Sequence, residues 1–140
     1  MQQIQPDLLW IGNAGDLRDP SALHRLGIVA VVDVAFEQPI SNLPRELIYC
    51  RFPLIDGGGN DRSVLLQAIR TTAELITGGK KTLIACSAGM SRSPSIAVFA
   101  LASFLKKDPT ELAEELSRET TLELSGSLWK ELMDVFPQLL

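Results

Sequence analysis

The run Leu83-Ile84-Ala85-Cys86-Ser87-Ala88-Gly89-Met90-Ser91-Arg92-Ser93-Pro94 constrains this chain more than any other segment. An apolar strand ends at a cysteine, a loop of small residues follows, and a helix starts at an arginine with Pro94 in its first turn. A helix N-terminus presents unpaired backbone N–H groups and positive potential, so an anion placed there is stabilised. Small side chains at Ser87, Ala88, Gly89 and Ser91 leave room for successive N–H groups to converge on the oxygens of a phosphate, with Met90 the one large residue of the loop. Arg92 can add a planar fork that binds two oxygens together. The same positive field favours the thiolate form of Cys86 over the thiol. The reading is a nucleophilic cysteine in an anion cradle formed by Ser87, Ala88, Gly89, Met90, Ser91 and Arg92. A cysteine at a strand end is commonly only a small core residue, and a Cys–Arg spacing alone says little. The strand, loop glycine, arginine and helix-start proline together favour chemistry.

The rest of the chain reads as alternating strands and helices in 140 residues, enough for one domain with one core. Leu8–Ile11, Ile28–Ala35, Leu47–Leu54 and Lys81–Cys86 are predicted strands. The second is almost continuously apolar, as in a strand covered on both faces. Ile48, Cys50 and Phe52 alternate with Tyr49 and Arg51 in the third. Pro20–Leu26 is a short predicted helix closed by Gly27. A longer one runs from about Ser63 to Thr77, capped by Asn60 or Asp61 and stopped by Gly78-Gly79. Arg92–Leu105 is mostly apolar and therefore a buried helix. Asp108 and Glu111 have capping-box spacing, and Ser127–Phe136 forms a last helix. The pattern predicts an α/β fold with a central, mainly parallel sheet flanked by helices on both faces. The phosphate-binding loop joins the last central strand to the buried helix. In such sheets ligands sit beyond the carboxyl ends of strands, where Cys86 falls.

Composition narrows the partners. The net charge of −4 disfavours nucleic acid and anionic membrane surfaces as partners. No apolar run reaches membrane-spanning length, and Met1–Pro6 has neither the basic region nor the apolar run of a signal peptide. Two cysteines make no disulfide framework, so a reducing cytoplasm is the expected location. No Cys/His cluster suits zinc, and no metal or organic cofactor is expected. The only histidine, His24, reads as a solvated position on the short helix, which makes a cysteine–histidine protease a poor fit.

Cys86 to Arg92 followed by Ser93-Pro94 resembles the signature of the cysteine-dependent protein tyrosine phosphatases, in particular the small dual-specificity branch. The likeness extends over nearly the whole chain. Leu8–Asn13 resembles the family's opening strand, Leu26–Ala35 its second core strand, Phe52-Pro53-Leu54-Ile55-Asp56 its general-acid segment, and Asp108–Ala113 the start of a family helix. The resemblance implies one catalytic domain over residues 1–140. It also implies hydrolysis of phosphotyrosine and phosphoserine/threonine proteins through a phosphocysteine, in a molecule favoured to be monomeric. Cys86 would be the nucleophile, Arg92 the anion clamp, Asp56 the acid and then the base, and Ser93 the donor that helps sulfur leave. The family usually has His before the cysteine, where it orders the loop and favours the thiolate; this chain has Ala85.

Several assignments stay open at this level. Asp61 rivals Asp56 as the acid, although its place before a helix suits capping better. The three glycines after Asp56 would let its loop swing over a substrate. Ser93 could instead cap the helix. Asp33 reads as a supporting hydrogen-bonding residue, Cys50 as core or as a redox partner of Cys86, and Trp10 and Trp129 as core. The alternative function is a phosphoprotein-binding module with little turnover. A low-molecular-weight phosphatase, arsenate reductase or rhodanese shares the Cys–Arg spacing. The first has the opposite order of loop and acid, and a sulfur-transfer loop would be expected in a different loop-to-helix context.

Overall fold

The computed structural model describes residues 1–124 and 126–139. Five strands form one sheet in the order β1-β2-β5-β3-β4. They are β1 (Gln2–Gln5), β2 (Leu9–Asn13), β3 (Ala30–Ala35), β4 (Ile48–Leu54) and β5 (Thr82–Cys86). All neighbours run parallel except β1 against β2. β5 is therefore central, and its C-terminal residue is Cys86.

Period-two alternation sends the residues of β5 to opposite faces. Ile84 and Cys86 join the larger core cluster with α3, while Leu83 and Ala85 join the smaller one with Trp10 and Leu23. The larger face carries α2 (Arg62–Thr77), α3 (Arg92–Leu105), α4 (Pro109–Ser117) and α5 (Gly126–Val135), and the smaller one carries α1 (Pro20–Arg25). Helices thus flank both faces, but unequally. α3 is buried along nearly its whole length, in keeping with its apolar composition. Phe99 at its centre stacks on Trp129 at 4.6 Å and meets Phe136 edge-on at 5.4 Å.

The predicted strands and helices are present, with ends shifted by one or two residues. Three differences have clear causes. β1 has no apolar alternation of its own; it forms as a short antiparallel edge against β2, with only Ile4 buried. β4 is the opposite edge, which accommodates Pro53 and explains why Ile48 is exposed despite its apolar neighbours. The last helix starts at Gly126 and tightens into a 3₁₀ turn at Phe136–Leu139. At α4, Asp108 accepts from the Glu111 backbone N–H at 3.1 Å, the conventional half of the predicted capping box. No helix among the described residues is long and apolar enough to cross a membrane.

Candidate active site

Cys86 ends β5 facing the N-terminus of α3, because residue 86 shares the α3 face with Ile84. Its sulfur is buried, lies 3.4 Å from Ser93 Oγ, and accepts the Gly89 backbone N–H at 3.1 Å. Among the described residues, no acceptor is found for the N–H groups of Ala88, Met90, Ser91 and Arg92. Open N–H groups in a loop of small residues at a helix start, beside one buried sulfur, have the character of an anion site. Ser91 Oγ is buried without a partner. Ser91, not Ser93, occupies the N-cap position of α3 and makes no side-chain cap bond. Ser93 instead donates to the Gly12 carbonyl at 3.3 Å from within the first turn.

The loop is shaped by its contact with β2. Gly89 has φ +72°, and a Cβ there would stand 2.8 Å from the Gly12 carbonyl oxygen. Only glycine fits that combination of backbone angle and close approach. The Ala14 N–H donates to the Ser87 carbonyl at 3.3 Å and fixes the other end of the loop.

Arg92 is almost fully buried and makes three polar contacts. Nη1 donates to Glu37 Oε1 at 2.7 Å and to the Leu54 carbonyl at 2.8 Å, while Nη2 donates to Glu37 Oε2 at 2.5 Å. The Ser87 hydroxyl also donates to Glu37. These contacts, the Arg92 fork foremost, hold the Glu37 carboxyl down to about 2 despite some desolvation. The pairing also raises the Arg92 pKa, an effect that burial opposes.

Asp56 lies just beyond β4, exposed at the mouth, beside a surface hollow it shares with Gly57, Ser91 and Glu123. Its loop is tied down more firmly than its three glycines suggested. Asn60 accepts the Ile55 N–H at 2.7 Å and returns a bond to the Ile55 carbonyl at 3.0 Å. Glu131 of α5 accepts the Gly59 N–H at 2.8 Å and the Asn60 amide at 3.2 Å. The loop is therefore clamped at its far side, which corrects the picture of a free swinging segment. Asp61 is the N-cap of α2, accepting from Ser63 N at 2.8 Å and Val64 N at 3.2 Å. The bonds from Ser63 and Val64 hold its carboxyl below the usual range.

Asp33 sits next to Ala85 across the β3–β5 ladder and lines, with Gln38 and Cys86, one hollow beyond the strand ends. It accepts Tyr49 Oη at 2.7 Å and the Ala35 N–H at 3.2 Å, the supporting role expected of it. Cys50 and Cys86 are both free and lie on strands separated by β3. Two strand spacings are about 10 Å, beyond the ~7 Å limit for a disulfide, so the redox pairing is excluded in this fold. Burial raises the Cys50 pKa, as for an inert thiol. His24 is exposed in the last turn of α1.

Glu37, Arg51 and Glu131 were not singled out by the motif. The Cys86–Arg92 signature carries no information about loops that meet it from elsewhere in the chain. The one available signal was an acid a few residues beyond a strand that ends beside the cradle.

Known structures share this architecture. Human DUSP28 superimposes with a TM-score of 0.84 at 20% identity, covering 99% of this chain and 97% of that one. It has the dual-specificity phosphatase fold. The human tyrosine phosphatase-like serine/threonine/tyrosine-interacting protein matches this fold in the chain with a TM-score of 0.79 at 16% identity, over 96% and 93% of the two chains. PTPMT1 in complex with PI(5)P matches with a TM-score of 0.74 at 13% identity, over 99% and 95%. No protein-family model matches the sequence.

Proposed function

We propose that this chain is a phosphomonoester hydrolase working through a phosphocysteine. The observation that carries this reading is the Cys86 sulfur among unpaired N–H groups at the start of α3, with the Arg92 guanidinium beside it. The dianion binds to the loop N–H groups and Arg92, and the Cys86 thiolate attacks phosphorus as the ester oxygen departs. Asp56 gives that oxygen its proton. Water then attacks phosphorus, Asp56 takes a proton from it, and sulfur leaves as thiolate with the Ser93 hydroxyl turning from the Gly12 carbonyl to stabilise it. No metal ion or organic cofactor has a step in this scheme.

A phosphorylated protein is the favoured substrate, bearing phosphotyrosine or phosphoserine/threonine. The loop carries no lysine, and Glu37, Asp56 and Glu123 surround the mouth. That charge disfavours a multiply phosphorylated headgroup such as the PI(5)P bound by PTPMT1. Exposed Phe36, Ile55 and Met90 beside those acids offer contact to apolar flanking side chains. Two free thiols suit a reducing compartment such as the cytoplasm.

Ala85 favours a second reading, a phosphoprotein-binding module, because the histidine that supports the thiolate is missing. One assay separates the two: hydrolysis of a small aryl phosphate by wild type and Cys86→Ser across pH. Turnover in wild type that is lost in Cys86→Ser, with phosphate affinity kept, is expected. Residual activity within tenfold of wild type would sink the cysteine mechanism, and a wild type that binds phosphopeptide without hydrolysing any ester would establish the module.

A further inference from the structure

We infer that Glu131 of α5 is a positioning residue for the proton donor: its carboxylate holds the Asp56 loop at the cradle before substrate arrives, so proton delivery needs no closing movement. The inference rests on the phosphatase reading and adds to it a residue from the far end of the chain.

Asp56 is exposed, so its place depends on the backbone around it. That backbone is intrinsically loose. Gly57 and Gly59 have φ +97° and +86°, and a Cβ on either would meet open space. Glycine samples more conformations than any other residue, while proton transfer tolerates little misplacement of the donor. Something outside the loop has to restrict it. Just before Asp56, the Leu54 carbonyl accepts Arg92 Nη1 at 2.8 Å. The Asn60 side chain then closes the loop on itself, binding both the N–H and the carbonyl of Ile55. Glu131 fastens the closed loop to α5. It accepts the Gly59 N–H at 2.8 Å, the Asn60 N–H at 3.4 Å and the Asn60 side-chain amide at 3.2 Å. Gly58 lies close against the same helix, where a Cβ would stand 3.5 Å from Ser127 Cβ.

The anchor itself is rigid. Leu128 and Leu132 of α5 are fully buried, and Trp129 stacks on Phe99 of α3 at 4.6 Å. α3 is the helix that begins at Arg92. Donor loop and phosphate cradle are therefore referred to one packed pair of helices, and Glu131 is the link between them. A latch that holds the loop back, to be released on substrate binding, would be the opposite device. The position of Asp56 argues against that. With the loop fastened, Asp56 already acts on the Arg92 guanidinium, helping to raise its pKa after the larger effects of Glu37 and Cys86.

The two devices predict opposite signs, and the test uses the whole chain with a series of aryl phosphates. Positioning predicts that Glu131→Ala lowers kcat/KM on phenyl phosphate about 10- to 100-fold. The loss should shrink on nitrophenyl phosphate, whose oxygen departs with little proton help. Inhibition by inorganic phosphate should stay as in wild type, because the cradle is untouched. Glu131→Gln should recover most of the loss, since its amide oxygen still accepts the Gly59 N–H. In an Asp56→Asn background Glu131→Ala should add little, because its effect passes through Asp56. A loss equal on every ester, or accompanied by weaker phosphate inhibition, overturns the inference. Faster turnover in Glu131→Ala overturns it in favour of the restraining latch, and a full additional loss in the Asp56→Asn background also overturns it. Should Glu131→Ala not fold, Asn60→Ala opens the same loop, and a loss there that ignores the leaving group is fatal. Wild type without turnover on any ester would remove the phosphatase reading itself; an active wild type with a leaving-group-independent Glu131→Ala loss removes this inference alone.

Discussion

The Cys86–Arg92 cradle and the two loops that close around it are built in opposite ways. The cradle is a contiguous run between β2 and α3, buried at Cys86 and Arg92, with its shape set by its own backbone and the Gly12–Gly89 contact. Residues 36–38 and 55–60 lie at the surface, exposed or half-buried, and derive their shape from distant side chains, Arg51 for one and Glu131 for the other. Yet each loop brings a carboxylate towards Arg92, Glu37 in direct contact and Asp56 further off. In the proposed mechanism the cradle holds the phosphate and the Asp56 loop supplies the proton. Local geometry and long-range tertiary geometry thus divide the site between them, and their mutants should fail differently.

The sharpest way to break this division is at Asp56. Asp56→Asn should cost about 10²–10⁴ in turnover on a phenyl or alkyl phosphate, and much less on a nitrophenyl ester whose oxygen needs little proton help. A loss independent of the leaving group would return Asp56 to a binding role and blur the contrast. Gly89→Ala tests the cradle in the other direction. Left-handed backbone costs a side chain about 1–2 kcal/mol, and the new methyl meets Gly12 backbone, so thermal stability and phosphate affinity should fall together on every ester. Retained affinity in a destabilised Gly89→Ala protein would show that loop shape and anion binding are separable.

Smaller effects sharpen the comparison. The Glu37 carboxyl is held near 2 in the folded chain against an ordinary value of 4.5. A depressed carboxyl stabilises the fold above its unfolded value and loses that contribution as pH falls towards the folded one. The Tm gap between wild type and Glu37→Gln should therefore be constant above about pH 4.5 and shrink steadily below it. The gap itself should be modest, since Arg92 is 4% exposed but Glu37 is 50% exposed and solvent screens the pair. Asp61→Asn should be the mildest change, leaving Tm and turnover close to wild type, because Asn caps helices about as well as Asp. A leaving-group-dependent loss in Asp61→Asn would reverse the assignment of the two aspartates.

What could be read from the sequence follows the same line. Cys86, Gly89, Arg92 and Ser93 were legible because strand, loop and helix dictate their relative positions within one turn of chain. Asp61 was legible as a cap from its place before an apolar helical stripe. The Asp56 loop was misread as free because Glu131, 72 positions from Gly59, leaves no trace in local composition. Arg51 looked like one half of an alternating strand, whereas its edge position lets the side chain fold back over the β3–β4 loop. β1 was missed because its stability comes from pairing with β2 rather than from its own residues.

The Gly12–Gly89 approach has a consequence for how the site comes into being. Ser93 reaches the Gly12 carbonyl across 81 positions of chain, so the cradle depends on one of the most sequence-distant contacts in the fold. Closing so long a loop is slow and is repaid only when β2 docks beside β5. Until then the cysteine lacks the wall that shapes its loop. The surroundings of Cys86 are thus a property of the finished molecule, and thiol labelling during refolding would report the docking of the first hairpin as directly as any spectroscopic probe of the core.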